Sequence, residues 1–392
     1  MKTTAFKNTE LGPIPEDWEV KSLFEIAPLQ RGFDLPSSEV EVGPYPVVYS
    51  NGILTHHAKW LCSAPGLITG RSGTIGKFTF VEDGHYWPHN TALWVTSFCG
   101  NNPKFVYYLY SNVGFARFAS GTGVPTLNRN DVHAFQVPLP PLPEQRRIAE
   151  ALSDADGLVA ALDKLIEKKK RIKDGAMQRL LTGETRLPGF TGKWVEKRLG
   201  DFSTVARGGS PRPIESYLTT DSNGVNWVKI GDVGVDAKYI EKTSERITRK
   251  GAAYSRQIFQ GDLLLSNSMS FGRPYITKIE GFIHDGWLVI QSFSRHFDKE
   301  FLYYALGSSS VVMQYRAFAA GSSVQNLNKN IVENIDIVVP PTLAEQRAIA
   351  AVLSDMDAEI AALSRERAEA DRIKQGMMQE LLTGKTRLTE GE

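Results

Sequence analysis

Apolar residues along the chain fall into two patterns. Over one stretch they step by four and three, at Ile148, Leu152, Ala155, Val159, Leu162 and Ile166. The same steps return at Ile349, Leu353, Met356, Ile360 and Leu363. Alternating four-three spacing lays an apolar seam along one helix face, so each stretch predicts a long helix of coiled-coil type. Ile148, Leu152, Val159 and Leu162 are the pairing candidates of the first helix, and Ile349, Leu353, Ile360 and Leu363 those of the second. Proline clusters precede both: Pro138, Pro140, Pro141 and Pro143, then Pro340 and Pro341. Proline ends regular structure before it and is tolerated in the first helical turn. Thr342-Leu343-Ala344-Glu345 has the spacing of a capping box. Each helix ends at Thr-Gly, Thr182-Gly183 and Thr383-Gly384, where glycine can take the left-handed cap. About 38 residues at roughly 1.5 Å each gives a rod on the order of 57 Å.

The stretches before the helices read differently. Short β-like runs, Tyr45–Tyr49, Thr91–Val95 and Trp287–Ile290, alternate with glycine-rich turns. An amphipathic helix is predicted near the end of each stretch, over Pro103–Leu109 and Lys299–Ala305. The chain is thus an α+β protein in which two mixed domains alternate with two long helices.

The two halves are copies. Residues 144–188 align with 345–389 without a gap at an offset of 201, from Glu144-Gln145-Arg146 with Glu345-Gln346-Arg347 to Leu180–Gly183 with Leu381–Gly384. The mixed stretches align more weakly. Trp18, Arg31 and Gly32 match Trp194, Arg207 and Gly208 at an offset of 176, which rises to 196 at Gly76/Gly272 and 200 at Asn128/Asn328. The second stretch therefore carries about two dozen extra residues, about twenty of them inserted before Gly272. An internal repeat of this length fixes the architecture: two similar surfaces related by a pseudo-twofold, suited to a two-sided target. Both helices carry a glycine at the same place, Gly175 and Gly376, either a tolerated defect or a point of close backbone approach.

Composition narrows the classes. No apolar run is long enough to span a membrane, and residues 1–7 lack a signal-peptide core. Two cysteines, Cys62 and Cys99, suit a reducing cytoplasm. The net charge is +1, so any basic surface must be segregated onto one face. Gly70–Phe78 echoes a phosphate-binding loop but lacks its first glycine, and Phe78 stands where a hydroxyl must reach magnesium. His85 and His89 are spaced by four, yet Pro88 forbids the helix that would aim both at a metal. No nucleophile elbow, dinucleotide loop or amine-methylating tetrapeptide occurs. The sequence predicts no catalytic residue and no metal site.

The run Pro-Pro-Leu-Pro-Glu-Gln-Arg-Arg-Ile-Ala at 140–149, its echo at 340–350, the Leu-Leu-Thr-Gly-x-Thr-Arg-Leu helix ends and the Leu-Pro-Gly-Phe-x-Gly-x-Trp link at 187–194 together resemble type I restriction-modification specificity subunits. The resemblance covers nearly the whole chain. It implies a non-catalytic subunit with two target-recognition domains, each reading one half of a bipartite, asymmetric double-stranded DNA target. Residues 1–142 and 185–341 would be those domains, and 143–184 and 342–392 would carry the two helices, packed antiparallel as a ruler between them. The same helices would dock two methyltransferase subunits, with two restriction-translocase subunits joining for cleavage. S-adenosylmethionine, ATP and magnesium would belong to those partners. Two rival readings are a recognition arm split from a methyltransferase-nuclease and a repeat scaffold that binds no DNA.

Candidate DNA contacts lie in three pairs of loops. The first pair offers Arg71, Ser72, Thr74 and Lys77 in one half, and Asn267, Ser268, Ser270 and Arg273 in the other. The second offers His89 and Asn90 against His284; the third offers Thr122 against Ser322 and Ser323. Arginine reads guanine and asparagine adenine through paired hydrogen bonds, while serine and lysine commonly hold phosphate. The alternative for each loop is a tight turn with satisfied side chains. The basic run Lys168–Arg171 is a solvated helix face or a contact to phosphate or an acidic partner.

Overall fold

The computed structural model describes residues 5–121, 123–234, 237–267, 272–319 and 326–389. Two compact units emerge, Met1–Lys164 with Ser364–Glu392, and Leu165–Leu363.

In the first unit, a four-stranded sheet runs in the order Leu29–Arg31, Ala92–Val95, Gly66–Gly70, Phe78–Val81. A second sheet runs Gly52–His57, Tyr45–Tyr49, His85–Pro88, Cys62–Ser63. Gly66–Gly70 is buried along its whole length, as a strand covered on both faces must be. The helix Pro103–Val113 closes the core, with Phe105, Tyr108 and Tyr110 buried beside Trp18 and Phe115. The Asn102 side chain caps it by accepting from Phe105 N at 2.9 Å, and proline occupies its first turn.

The second unit repeats this plan. Its main sheet runs Thr204–Arg207, Trp287–Gln291, Leu263–Ser266, Pro274–Thr277 and then a fifth strand, Tyr239–Ile240. The other sheet runs Glu245–Ile247, Val225–Val228, Gly281–Ile283, Arg256–Ile258. Asp298 caps the helix Lys299–Leu306. About half of the extra residues of this half fall between Val228 and Glu245. Where the first unit joins Tyr49 to Gly52 by a tight hairpin, the second makes an excursion that lays down the fifth strand.

The long helices span Leu142–Thr182 and Leu343–Leu381, and they pack antiparallel within each unit. In the first unit Ile148 and Leu152 are buried in one cluster with Met378, Leu381 and Leu382, and Lys374 and Arg367 pair with Asp156 and Asp163 at 2.5 and 3.0 Å. In the second, Ile349 and Leu353 are buried with Ala176, Leu180 and Leu181, and Lys169 and Lys173 pair with Glu359 and Asp357, both at 2.5 Å. Val159 and Leu162 are buried, whereas Ile360 and Leu363 are half-buried. A Cβ added at Gly175 or Gly376 would meet nothing within 4 Å, so neither glycine marks a close backbone approach.

Each unit is locked by the same buried node. The Glu144 carboxylate accepts two hydrogen bonds from Arg387, both at 2.8 Å, one from Trp18 Nε1 at 2.9 Å and one from Leu388 N at 3.2 Å. In the second unit, Glu345 accepts two from Arg186, both at 2.8 Å, and one from Trp194 Nε1 at 3.3 Å. The Glu-Gln-Arg and Leu-Thr-Gly-x-Thr-Arg motifs repeat because their Glu and Arg meet. The capping box expected at Thr342 is consequently half-formed. The Thr342 hydroxyl accepts from Glu345 N at 3.2 Å, but Arg186 takes the Glu345 carboxylate. The adjacent glutamines cap the neighbouring helix: Gln145 Oε1 accepts from Asn102 N and Gln346 Oε1 from Asp298 N, at 2.9 and 2.7 Å. Gly183 and Gly384, at φ 76° and 74°, take the left-handed cap conformation.

Candidate nucleic-acid interface

In each unit the described residues of the first two candidate loops meet at one end of the main sheet and are tied by matching hydrogen bonds. In the first, Arg71 N donates to Thr91 O at 2.9 Å, Leu127 N to Arg71 O at 2.8 Å, and Arg71 Nε to Asn90 O at 3.1 Å. In the second, Asn267 N donates to Gly286 O at 3.0 Å, Leu327 N to Asn267 O at 3.0 Å, and Asn267 Nδ2 to Asp285 O at 2.8 Å. Arg71 and Asn267 therefore hold the same place. Each uses a side-chain N–H to grip the turn that follows a histidine, His89 or His284.

A fourth segment closes the cluster. A Cβ on Gly32 would lie 2.2 Å from His89 O, and one on Gly208 would lie 2.2 Å from His284 O, so only glycine allows this crossing. The repeated Arg-Gly pair at 31–32 and 207–208 is the sequence signal for this contact. It brings Arg31 to Asp34 at 3.3 Å in the first unit, where Asn90 Nδ2 also donates to Asp34. In the second unit Asp285 is the hub. Its carbonyl accepts from Arg207 Nε at 3.0 Å; its carboxylate accepts from Ser210 Oγ at 3.0 Å and pairs with Arg212 at 3.6 Å. Beside it lies a cavity of about 530 Å³ lined by Arg212, Trp227, Lys229, Glu245 and His284.

The loop side chains differ in reach. Thr74 and Lys77 are exposed, and Lys77 Nζ donates to Asn51 O at 3.0 Å. Arg71, Ser72, Asn90, Arg273 and His284 are half-buried. Asn267 is 4% exposed, so it shapes the loop it holds rather than projecting from it. The His89 ring lies 4.2 Å from Tyr49, centroid to centroid. Burial holds its pKa below the ordinary histidine value, against the opposing pull of the Leu35 carbonyl and Asp34. Thr122, Ser268, Ser270, Ser322 and Ser323 lie outside the described residues. Among the described residues no cluster of His, Cys, Asp or Glu could hold a metal ion. The Cys62 thiol is pushed up to about 11 by burial.

Residues 15–173 and 191–372 both match the family model described as the type I restriction modification DNA specificity domain. The chain belongs to that family. Type I specificity subunits are non-catalytic. This one is similar over 99% of its length to a Methanocaldococcus jannaschii protein named as a candidate MjaX type I restriction enzyme specificity subunit (26% identity, 98% of that protein covered). It is also similar over 68% to the MjaVIII specificity subunit of the same organism (27% identity, 66% covered). Among solved structures, its fold is similar to a type I S subunit from M. genitalium (TM-score 0.62, 15% identity, covering 93% of this chain and 96% of that one). It is likewise similar to a chain from a study of type I R-M complex assembly (TM-score 0.60, 20% identity, 95% and 99% covered). No helix among the described residues of this specificity subunit is long and apolar enough to cross a membrane.

Proposed function

We propose that each loop cluster reads one half of a bipartite, asymmetric DNA target, with residues 1–142 and 185–341 as the two reading domains. The observation that carries this is one frame presenting two sets of groups. Arg71 and Asn267 tie the loops by matching bonds, yet the loops so held carry Asn90 against Asp285 and Lys77 against Arg273. A shared frame with unlike side chains suits two unlike half-sites, since base edges are told apart by their donor and acceptor patterns. The long helices, residues 143–184 and 342–392, dock two methyltransferase subunits, and two restriction-translocase subunits join the assembly for cleavage. S-adenosylmethionine, ATP and magnesium are carried by those partners, and the complex works in the cytoplasm.

Mapping methylated sites in a host that expresses the chain with its methyltransferase tests this reading. Arg71→Ala should relax or change bases in one half-site only, and Arg273→Ala in the other, each by about 1–3 kcal/mol of discrimination. Loss of bases in both half-sites from either substitution would overturn the assignment of one unit to one half-site.

A further inference from the structure

The two units differ at one sheet edge, and the second unit shows what the first has left open. There the strand Tyr239–Ile240 lies parallel against Pro274–Thr277, with Ile276 N donating to Lys238 O and Lys278 N to Ile240 O, both at 2.9 Å. Pro274–Thr277 is buried throughout. The preceding Lys238 enters the space below, where its ammonium donates to Tyr304 Oη at 3.0 Å and Ser354 Oγ at 3.1 Å and pairs with Glu300 at 2.5 Å. Glu241 pairs with Lys278 at 2.7 Å.

The corresponding strand of the first unit is Phe78–Val81, since Leu67 faces Phe80 as Leu263 faces Ile276. It is the last strand of its sheet among the described residues, and three of its four residues are half-exposed. The hairpin that replaces the excursion lies against its start, where Lys77 Nζ donates to Asn51 O at 3.0 Å and Gly52 approaches Thr79. Below it lies a cavity of about 550 Å³ lined by Phe80, Glu82, Lys104, Tyr108, Ser153 and Asp156. The Tyr108 hydroxyl donates to Asp156 at 2.7 Å, as Tyr304 does to Asp357 at 2.6 Å. The space that Lys238 fills in one unit is open in the other.

We propose that the Phe78–Val81 edge and this cavity form a docking site for an extended segment of a protein partner, which adds as a fifth, parallel strand. Charge specifies the segment. Lys104 stands where the second unit has Glu300, and Glu82 where it has Lys278. The strand must therefore carry an acidic residue at the place of Lys238 and a basic one three residues on. Lys104 and Glu82 pair with each other at 2.7 Å across an exposed surface, a weak contact that an incoming strand can exchange. A second copy of this chain is the wrong occupant, because its own strand has the opposite charge order and is already seated.

The test uses the full chain and two labelled synthetic peptides. One copies residues 237–243; the other carries Lys238→Glu and Glu241→Lys. Fluorescence anisotropy should show the exchanged peptide binding at least about tenfold more tightly, a difference of about 1.4 kcal/mol. The paired substitution Lys104→Glu with Glu82→Lys should reverse that preference. Gly157→Leu should abolish binding while keeping the fold, because the position is helical, borders the cavity and has nothing within 4 Å of an added Cβ. Absence of binding by both peptides, equal binding by both, or binding indifferent to Gly157→Leu would overturn the proposal. Concentration-dependent self-association that Gly157→Leu removes would overturn it in favour of a second copy.

Discussion

Arg387→Ala should be among the most damaging single substitutions in the first unit. Glu144 is 3% exposed, and Arg387 supplies two of its four hydrogen-bond donors. Removing the guanidinium leaves a carboxylate desolvated, with only Trp18 Nε1 and Leu388 N to satisfy it. Breaking a buried ion pair from one side costs about 3–5 kcal/mol, because the remaining charge is stranded. The contact of Arg387 to Asp17, at 2.7 Å but half exposed on the Asp17 side, adds at most about 1 kcal/mol. Arg387→Lys keeps the charge and loses the two-pronged grip, so it should cost about one charged hydrogen bond, roughly 1.5–3 kcal/mol. Combining Glu144→Gln with Arg387→Ala should be milder than the sum of the single changes, by about 0.5–3 kcal/mol of coupling. Urea unfolding followed by tryptophan fluorescence gives these values. Hydrogen exchange locates the loss, which should fall on residues 14–18 and the first turns of the helix beginning at Leu142. Arg186→Ala should destabilise the second unit instead, through Glu345. An Arg387→Ala chain within about 0.5 kcal/mol of the parent, the range of ordinary surface changes, would refute the node as a lock.

The seam offers a second measurement: Leu152→Ala and Leu353→Ala, both at fully buried positions, should each cost about 2–5 kcal/mol in the same unfolding assay. Gly175→Ala and Gly376→Ala should each stabilise by up to about 1 kcal/mol, read as a raised denaturant midpoint, since an added Cβ meets nothing there. Acid should weaken the first unit through His133, whose Nε2 accepts from Leu29 N at 2.8 Å and whose pKa is lowered by burial and then by Arg129. A depressed histidine pKa means that the unfolded chain binds the proton more readily. Stability should hold above about pH 6.5 and fall as pH drops below it, and His133→Gln should flatten that slope in a pH series of melts.

How much of this was legible in the residues depended on whether the determinant was local. The seams were visible because helical periodicity is written at fixed spacing, and the Thr-Gly stops because a left-handed cap needs glycine. The Arg71/Asn267 and His89/His284 loop pairs could be placed in register because glycines and flanking strands repeat around them. What those loops do with their side chains was not legible. The Arg71 guanidinium and the Asn267 amide look like base readers in a list of residue types, yet each is turned toward a carbonyl about twenty residues further along the chain. Ser210 and Arg212 were not legible, because they reach Asp285 only after the strand at Thr204–Arg207 crosses the turn at His284. The Glu-Arg nodes were not legible as contacts, because the two motifs that meet lie more than 150 residues apart. The extra residues of the second half show in the offset between the halves but not as an element, because a strand of two residues has too little pattern to show itself. Their meaning came from comparing one unit with the other. An insertion that covers a sheet edge and plugs a cavity with a lysine makes the uncovered edge of its sibling the more informative surface.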